Sequence, residues 1–525
     1  MTMGTSNAHE DLFRSVREHC EKSVGERSIF RLLANDGHLL LPDSMFADLY
    51  STRGRRSVAP RTMATVMLLQ RFEGLSDSEA VDRLSFDLRY KWACGLAYDA
   101  PSFDSTLLVD MRARLRNSAW PNRIFDAVLS VAKEANLIGK KRVLDSTALY
   151  DAVATQDTAT LVRSAIVGVF RAAQSALESE LRALCKREDA YDKGGKPSCA
   201  WDDANAREEL VDALTKDANA ILSALHDTTL SVELSEAAAL LATVVGQDIE
   251  QGEDGIFRII VGVAKDRVIS TVDPETRHGH KTASRGFDGY KGHIAICPDS
   301  ELITAMEVTP GNKGDASVAE ALIADLIEQE AASTSGSDVE NQAAEAKKVF
   351  GDSSYGTADF VEVLEQEGIV VSTRVQPPSN RDGLFTQAHF EVDTKTQNVT
   401  CPAGVRVALR VLKDGSSEAQ FGDACTTCSR RTECTKSKSG RTIKLHKKHA
   451  LLTRHRKLQS HPEWKDRYRK TRPKVERKIA HTMRRKHGGR RMRLRGLVRA
   501  KTDFMMLGAS TNLARLAALG VRIGR

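Results

Sequence analysis

Long apolar runs are missing from this chain of 525 residues. A helix that spans a bilayer needs about 20 consecutive apolar residues, and the apolar stretch at 237–247 ends well short of that length. The first residues, MTMGTSNAHEDLF, contain neither a basic segment nor an apolar one, so no secretion signal is predicted. We therefore expect a cytoplasmic protein that does not contact membranes.

Further classes of protein are excluded by motifs that the sequence lacks. The phosphate-binding pattern GxxxxGKS/T is absent, and Gly286, Gly289 and Gly292 have the wrong spacing for a dinucleotide-binding loop. Cysteine occurs nine times, an odd number that argues against a disulfide framework and fits a reducing compartment. What remains is a globular chain of ordinary composition, long enough for about three domains.

Positive charge is concentrated in the last part of the sequence. Residues 441–525 contain 27 Lys and Arg against four Asp and Glu, a net charge of +23, whereas the other residues carry a net −16. Apolar residues such as Val475, Ile479 and Met483 recur there at helical spacing, so packed helices are predicted rather than a solvated tail. Such a basic block favours a polyanionic partner, because each neutralised phosphate releases condensed counterions.

The order of predicted elements indicates an α/β core interrupted by insertions. After a first strand, helices are predicted at 161–186, 204–225 and 234–246, and strands resume at 256–263 and 267–272. A hairpin, a helix at 316–328, a polar loop at 331–343, a strand, a helix and a strand follow, an order typical of α/β folds.

These elements divide the chain into six parts. They are a helical N-terminal region at 1–135 for DNA binding or dimerisation, the first core strand at 136–155, a helical insertion at 156–250, the α/β core at 251–376, a cysteine-containing insertion at 377–447, and basic helices at 448–525.

Two aspartates stand where predicted strands end, Asp145 in VLDST and Asp352 in VFGDSSYG. Carboxylates at the ends of neighbouring strands can converge on one point. Magnesium prefers oxygen ligands, and two such ions about 4 Å apart can stabilise the attacking and leaving oxygens of a phosphoryl displacement. Each aspartate could instead cap a helix or form a turn.

A third acid, Glu476, lies inside the basic block. It follows Arg472 by four residues, so the two share one face of a predicted helix. The glutamate could pair with its basic neighbours, or it could complete a metal site while those neighbours face phosphate.

Taken together, these segments resemble the DDE transposases of bacterial insertion sequences, in the Tyr-Arg-Glu-Lys signature group that is like insertion sequence eleven-eighty-two. The resemblance is carried by GLSDSEAVDRL, DLRYKWACGL, LDST, VAKDRVISTVDPETRHGHK, GYKGH, VTPGN, GDSSYG, RPKVERKIA and NLARL. It implies an RNase H-like catalytic core in which Asp145, Asp352 and Glu476 bind two Mg²⁺ or Mn²⁺ ions. It also implies that Tyr468 and Arg472 are signature residues near the cleaved strand.

Two positions depart from that signature. The spacing from Tyr468 to Arg472 is one residue longer than usual, and Met483 stands where a lysine is expected, with Arg484 next to it. We accordingly include Arg484 among the candidate DNA-binding residues.

The function predicted in this way is cleavage and strand transfer of double-stranded DNA, at element ends and target, by a homodimer on the bacterial nucleoid. An RNase H-like nuclease without strand transfer is one alternative. An inactive, transposase-derived DNA-binding regulator is another.

Two further residues are candidates for DNA contact. Lys291 and His293 alternate with apolar residues on a predicted strand, so their side chains share a face. Lys291 could touch phosphate there or belong to a solvated face. Tyr355 could stack on an unpaired base or pack in the interior.

Four cysteines form the pattern CPAG…CTTCSRRTEC. Cys401, Cys425, Cys428 and Cys434 include a CxxC pair, a common source of tetrahedral zinc ligands. The alternatives are a structural Zn²⁺ site and a set of buried free thiols.

Overall fold

The structure is a computed structural model that describes residues 1–3, 15–151, 153–187, 191–192, 195–282, 284–333, 346–378 and 382–524. The loop predicted at 331–343 lies mostly outside these residues. Among the helices so described, none combines the length and the apolar character needed to cross a bilayer.

Helices precede the first strand. Within the described residues they are α1 (Ser15–Ser23), α2 (Ile29–Leu40), α3 (Pro60–Glu73), α4 (Asp77–Phe86), α5 (Leu88–Ala93), α6 (Thr106–Asn117) and α7 (Arg123–Glu134). Pro60 occupies the first turn of α3, where its missing N–H leaves no helical hydrogen bond unmade. The side chains of Ser76 and Glu79 form the expected capping box at the start of α4.

A helical insertion follows the first strand. The chain forms β1 (Lys141–Tyr150), α8 (Thr158–Ala172), α9 (Ser175–Ala183), α10 (Ala204–Leu225), α11 (Val232–Asp248), and the hairpin of β2 (Ile249–Gln251) and β3 (Phe257–Ile259). These helices have a hydrophobic core of their own, in which Leu161, Leu214, Ile221 and Leu241 are fully buried. The leucine spacing along α8 and α10 therefore serves packing within the insertion.

The chain then completes a mixed sheet around β1. The elements are β4 (Arg277–Thr282), β5 (Arg285–Cys297), β6 (Leu302–Pro310), α12 (Ala324–Ser333), β7 (Lys348–Gly351), α13 (Ala358–Gln366) and β8 (Val370–Thr373). The strand order is β6–β5–β1–β7–β8, and β4 pairs with the first part of β5. Strands β1, β7 and β8 are parallel, whereas β5 is antiparallel to both of its main neighbours.

Two small sheets contain the cysteines. One consists of β9 (Glu391–Asp393), β10 (Asn398–Thr400) and β11 (Arg406–Ala408), and the other of β12 (Arg410–Val411), β13 (Ser417–Gln420) and β14 (Thr442–Leu445). The short helix α14 (Arg431–Cys434) lies between β13 and β14.

The basic block is helical and ends in a buried helix. Its helices are α15 (His449–Leu458), α16 (Pro462–Thr471), α17 (Pro473–Thr482) and α18 (Leu497–Leu519). Helix α18 joins the N-terminal helices and the sheet in one hydrophobic core. A Cβ at Gly292 would lie 2.6 Å from the ring of Phe504, so β5 needs glycine at this position. The Asn512 amide bonds to both the N–H and the C=O of Ile303 on β6.

Some elements differ from the sequence-based expectation in their bounds. Strand β1 does not end near Asp145 but continues to Tyr150, because β5 pairs with it over that whole length. The helix predicted at 161–186 is divided at Ala173, whose backbone is extended, because apolar spacing reports a buried face and not a break in the backbone. The helix predicted at 316–328 begins only at Ala324, after two 3-10 turns.

The segment predicted as a strand at 267–272 is extended but unpaired within the described residues. The N–H groups of Val268 and Thr271 donate to the amide oxygens of Gln247 and Gln156, and the Ile269 carbonyl accepts from the backbone N–H of Gln156. Val268 and Ile269 are buried, whereas Val272 is 49% exposed.

Candidate active site

The parallel pairing of β1 with β7 aligns the two predicted aspartates. Val143 lies opposite Phe350, so Asp145 and Asp352 occupy equivalent positions two residues further along. Because β7 ends at Gly351, Asp352 lies just beyond the sheet with 37% of its side chain exposed, whereas Asp145 is 10% exposed. The two carboxylates therefore come from neighbouring strands, one buried and one open to solvent.

Helix α17 brings the third acid to the same edge of the sheet. It packs against β1 and β5, and Val475, Lys478 and Thr482 form its buried face. Glu476 lies on a different face, and 62% of its side chain is exposed. Pro473 begins α17 and separates it from α16, which leaves Arg472 at the junction of the two helices.

Arg472 links all three acids. One guanidinium nitrogen is 2.9 Å from a carboxylate oxygen of Asp145 and 4.0 Å from one of Asp352. A second nitrogen is 3.4 Å from a carboxylate oxygen of Glu476. Since the guanidinium is compact and Arg472 is almost fully buried, the three carboxylates must converge on one small region.

Burial and charge oppose each other in this cluster. Burial raises the pKa of Asp145 above its ordinary value, although Arg472 and Lys281 act to lower it. For Arg472, burial acts to lower the pKa, but the surrounding acids outweigh it and the pKa is raised. The guanidinium therefore stays charged, and its Nε and Nη1 have no hydrogen-bond partner among the described residues.

The donor chemistry of this cluster fits a divalent cation. Carboxylate oxygens are the ligands that Mg²⁺ prefers, and one or two of them usually suffice. Across the described residues, no three acidic, histidine or cysteine side chains are close enough to hold an ion together. In the arrangement seen, the positive charge between the acids is that of Arg472.

A network of polar residues adjoins Asp145, and sequence reasoning singled out only Lys291 among them. The Ser146 hydroxyl donates to Asp315 at 2.6 Å, and Asp315 forms an ion pair with Lys291 at 3.0 Å. The Lys281 ammonium donates to the carbonyl oxygen of Ser146 at 2.6 Å. The available signal was local, because Lys281 ends the VAKDRVISTVDPETRHGHK segment and Asp315 lies three residues after VTPGN.

Two candidate DNA contacts are occupied by protein partners. Tyr355 is fully buried, and its hydroxyl and the ring of His293 are 3.0 Å apart. The other nitrogen of His293 lies 2.9 Å from the Thr309 hydroxyl. Burial lowers the pKa of His293, so the ring is neutral at pH 7. The geometry favours the packing alternative for Tyr355, and it pairs Lys291 with Asp315 rather than leaving it on a solvated face.

Tyr468 and Arg472 open onto a groove beside the acids. The rings of Trp464 and Tyr468 are stacked with centroids 4.9 Å apart, and the Tyr468 hydroxyl donates to the Gly351 carbonyl at 3.3 Å. The groove has a volume of about 630 Å³. Its basic lining residues are Arg374, Arg456, Lys465, Arg469 and Arg472. The sequence analysis did not single out Trp464 on α16, Arg374 at the end of β8 or Arg456 on α15.

The remaining acids of the basic block lie elsewhere. Asp466 pairs with Lys470 at 2.8 Å, and Asp503 pairs with Arg71 at 3.3 Å inside the helical core. Glu463 is exposed. Arg484, at the end of α17, is also exposed, whereas Met483 beside it is buried. Among the acids of this block, Glu476 is thus the one that joins the two aspartates.

The four cysteines predicted as zinc ligands lie on the turns and the short helix that connect the strands of the small sheets. Cys401, Cys425, Cys428 and Cys434 all line one cavity of about 20 Å³, and all four are free thiols.

Comparison with known protein families gives two matches. Residues 400–517, which include Glu476, match a family described as a transposase DDE domain. Residues 20–114 match a family described as a transposase domain, DUF772. No curated protein matches the chain. Two separate segments thus match transposase domains, one in the N-terminal helices and one ending in α18. These matches support the prediction of a DDE transposase.

Proposed function

We propose that the protein is a transposase that binds the ends of an insertion sequence, cleaves the DNA there and joins it to a target. The observation that carries this proposal is the convergence of Asp145, Asp352 and Glu476 on the guanidinium of Arg472. Three acids gathered at one edge of a sheet, beside a basic groove, suit phosphoryl transfer on a polyanion better than they suit a structural ion-pair network.

In this proposal the three acids hold two Mg²⁺ or Mn²⁺ ions, which neutralise charge on the attacking and leaving oxygens. The residues of this chain hold the metal ligands and the DNA in position. Hydrogen bonds from backbone N–H groups orient the two aspartates, and the guanidinium of Arg472, which lines the groove, can donate to a phosphate oxygen. The sheet order, with β1 in the centre and β5 antiparallel to it, supports an RNase H-like core.

The groove next to the acids is the proposed path of the DNA strand. Stacked aromatic rings accept bases of any sequence, and arginine forks bind phosphate oxygens in pairs. A basic block with a net charge of +23 extends this surface. We further propose that two copies act together, each on one end of the element, on the bacterial nucleoid.

We expect Arg469→Ala, on the wall of this groove, to reduce the salt dependence of DNA binding. Loss of one phosphate contact lowers the slope of log K against log salt by about 1 and weakens all sequences alike. Binding isotherms at several salt concentrations would measure the slope. Arg410→Ala is the matched control, because Arg410 is exposed on β12 and does not line the groove. Equal slopes for Arg469→Ala and the wild type would contradict the proposed path.

The function itself is tested by a strand-transfer assay with DNA that carries the element ends, a target duplex and Mg²⁺. We expect cleaved ends and joined product, and neither in the presence of a chelator. Cleavage without joining would instead indicate the nuclease alternative, and binding without cleavage would indicate a regulator.

A further inference from the structure

A compact unit at 385–445 places its four cysteines around one cavity. Cys401 follows β10 and begins a turn that the N–H of Gly404 closes. Cys425 and Cys428 lie on the turn before α14, and Cys434 ends that helix. All four side chains line the same cavity of about 20 Å³, which has room for a single water or ion.

The surroundings of this cavity favour thiolates. The N–H of Arg441 donates to the sulfur of Cys425 at 3.4 Å. Arg430, Arg431 and Arg441 also line the cavity. Zinc with four thiolates carries a net charge of about −2, and nearby guanidinium groups offset such a charge.

The unit has little else to hold it together. Its fully buried apolar side chains are few: Phe390, Val399, Ala419, Phe421, Ile443 and Leu445. Units of this size rarely bury enough apolar surface to be stable alone, and small natural units often add a structural metal.

We propose that Cys401, Cys425, Cys428 and Cys434 bind one structural Zn²⁺ ion. In the arrangement that the structure describes, no three of the thiols are close enough to share an ion. Side-chain rotations must therefore bring the sulfurs to about 2.3 Å from the metal. As each S–Zn bond forms, the thiol loses its proton to solvent, and no sulfur changes oxidation state.

The zinc site would position the helices that carry Glu476. Strand β14 ends at Leu445, and α15 begins four residues later. Lys448, between them, pairs with Asp359 and Glu362 on α13, the helix that follows Asp352. The unit and the acid cluster are thus joined by a short connection fixed to the core.

The test is metal analysis of the purified full-length protein. We expect about one zinc ion per chain, and in the cobalt-substituted protein the absorption bands of tetrahedral Co²⁺ with thiolate ligands. Cys428→Ser should lose the metal. Cys199→Ser is the matched control, since Cys199 is also half-buried but lies in the helical insertion.

A second measurement does not depend on the variant folding. Titration of the wild-type protein with a mercurial reagent should release zinc to an indicator dye as the four thiols react. Zinc absent from the wild type, or retained after each of the four cysteines is replaced, would overturn the proposal. Neither readout requires DNA cleavage, so failure here is distinguishable from failure of the proposed function.

Discussion

Replacing Asp145 with asparagine is expected to lower DNA cleavage and strand transfer by at least about 10²- to 10³-fold, the loss seen when one preorganised charge-stabilising group is removed. Asparagine keeps the size of the side chain and a carbonyl oxygen, but it removes the negative charge that a divalent ion requires. Binding to element ends should survive, because Asp145 is almost fully buried and does not itself line the groove. Cleavage on end-labelled DNA and gel-shift binding would measure the two effects separately.

The matched control is Asp466→Asn, in the basic block at 441–525. Asp466 is exposed and pairs with Lys470 on its own helix, so cleavage should stay near the wild-type level. Asp352→Asn should behave like Asp145→Asn. Wild-type cleavage by either aspartate variant would rule out the acid cluster as the catalytic site.

The second large effect is expected for Arg472→Gln. Its guanidinium is the positive group between three carboxylates, and both it and Asp145 are about nine-tenths buried. Removing one partner of a buried ion pair leaves an uncompensated charge, which costs about 3–5 kcal/mol. We therefore expect a loss of unfolding free energy of this order when a chelator is present, measured by chemical denaturation.

Two conditions should reduce this loss. Magnesium should restore part of the stability of Arg472→Gln, because a cation that binds only the folded state stabilises it. Low pH should do the same. Without Arg472, the pKa of Asp145, already raised by burial, should rise further. A folded-state pKa above the unfolded one contributes stability that is present at low pH and lost as pH rises through it. The deficit should therefore grow from acid toward neutral pH.

Arg469→Gln is the control for this experiment, because Arg469 is exposed on the groove wall rather than among the acids. Its stability should match the wild type within about 0.5 kcal/mol at every pH. If Arg472→Gln is as stable as this control with chelator at neutral pH, the guanidinium does not hold the acids together.

Local patterns in the sequence were sufficient for the elements whose stability is local. The helix at 204–225 and the hairpin of β5 and β6 are formed as predicted. Each depends on neighbours within a few residues, on apolar spacing or on a short turn, so the chain alone specifies it.

The sequence also determined which acids were candidates, but only the tertiary structure decided how they meet. Asp145, Asp352 and Glu476 are 207 and 124 residues apart. Their convergence depends on the register of β1 with β7 and on the packing of α17 across the sheet. The position of Arg472 between the three acids follows from that same packing. Its place on a helix face is visible in the sequence, but that place does not show which side chains lie opposite it.

Burial and ion pairing distinguish two further candidate residues for DNA contact. Tyr355 and Lys291 look alike in sequence as possible DNA contacts, yet one is fully buried against His293 and the other is paired with Asp315. The basic groove likewise joins Arg374, at the end of β8, to Trp464 on α16. A sequence records which side chains can bind DNA or metal, whereas partners from distant strands and helices determine which of them remain free to do so.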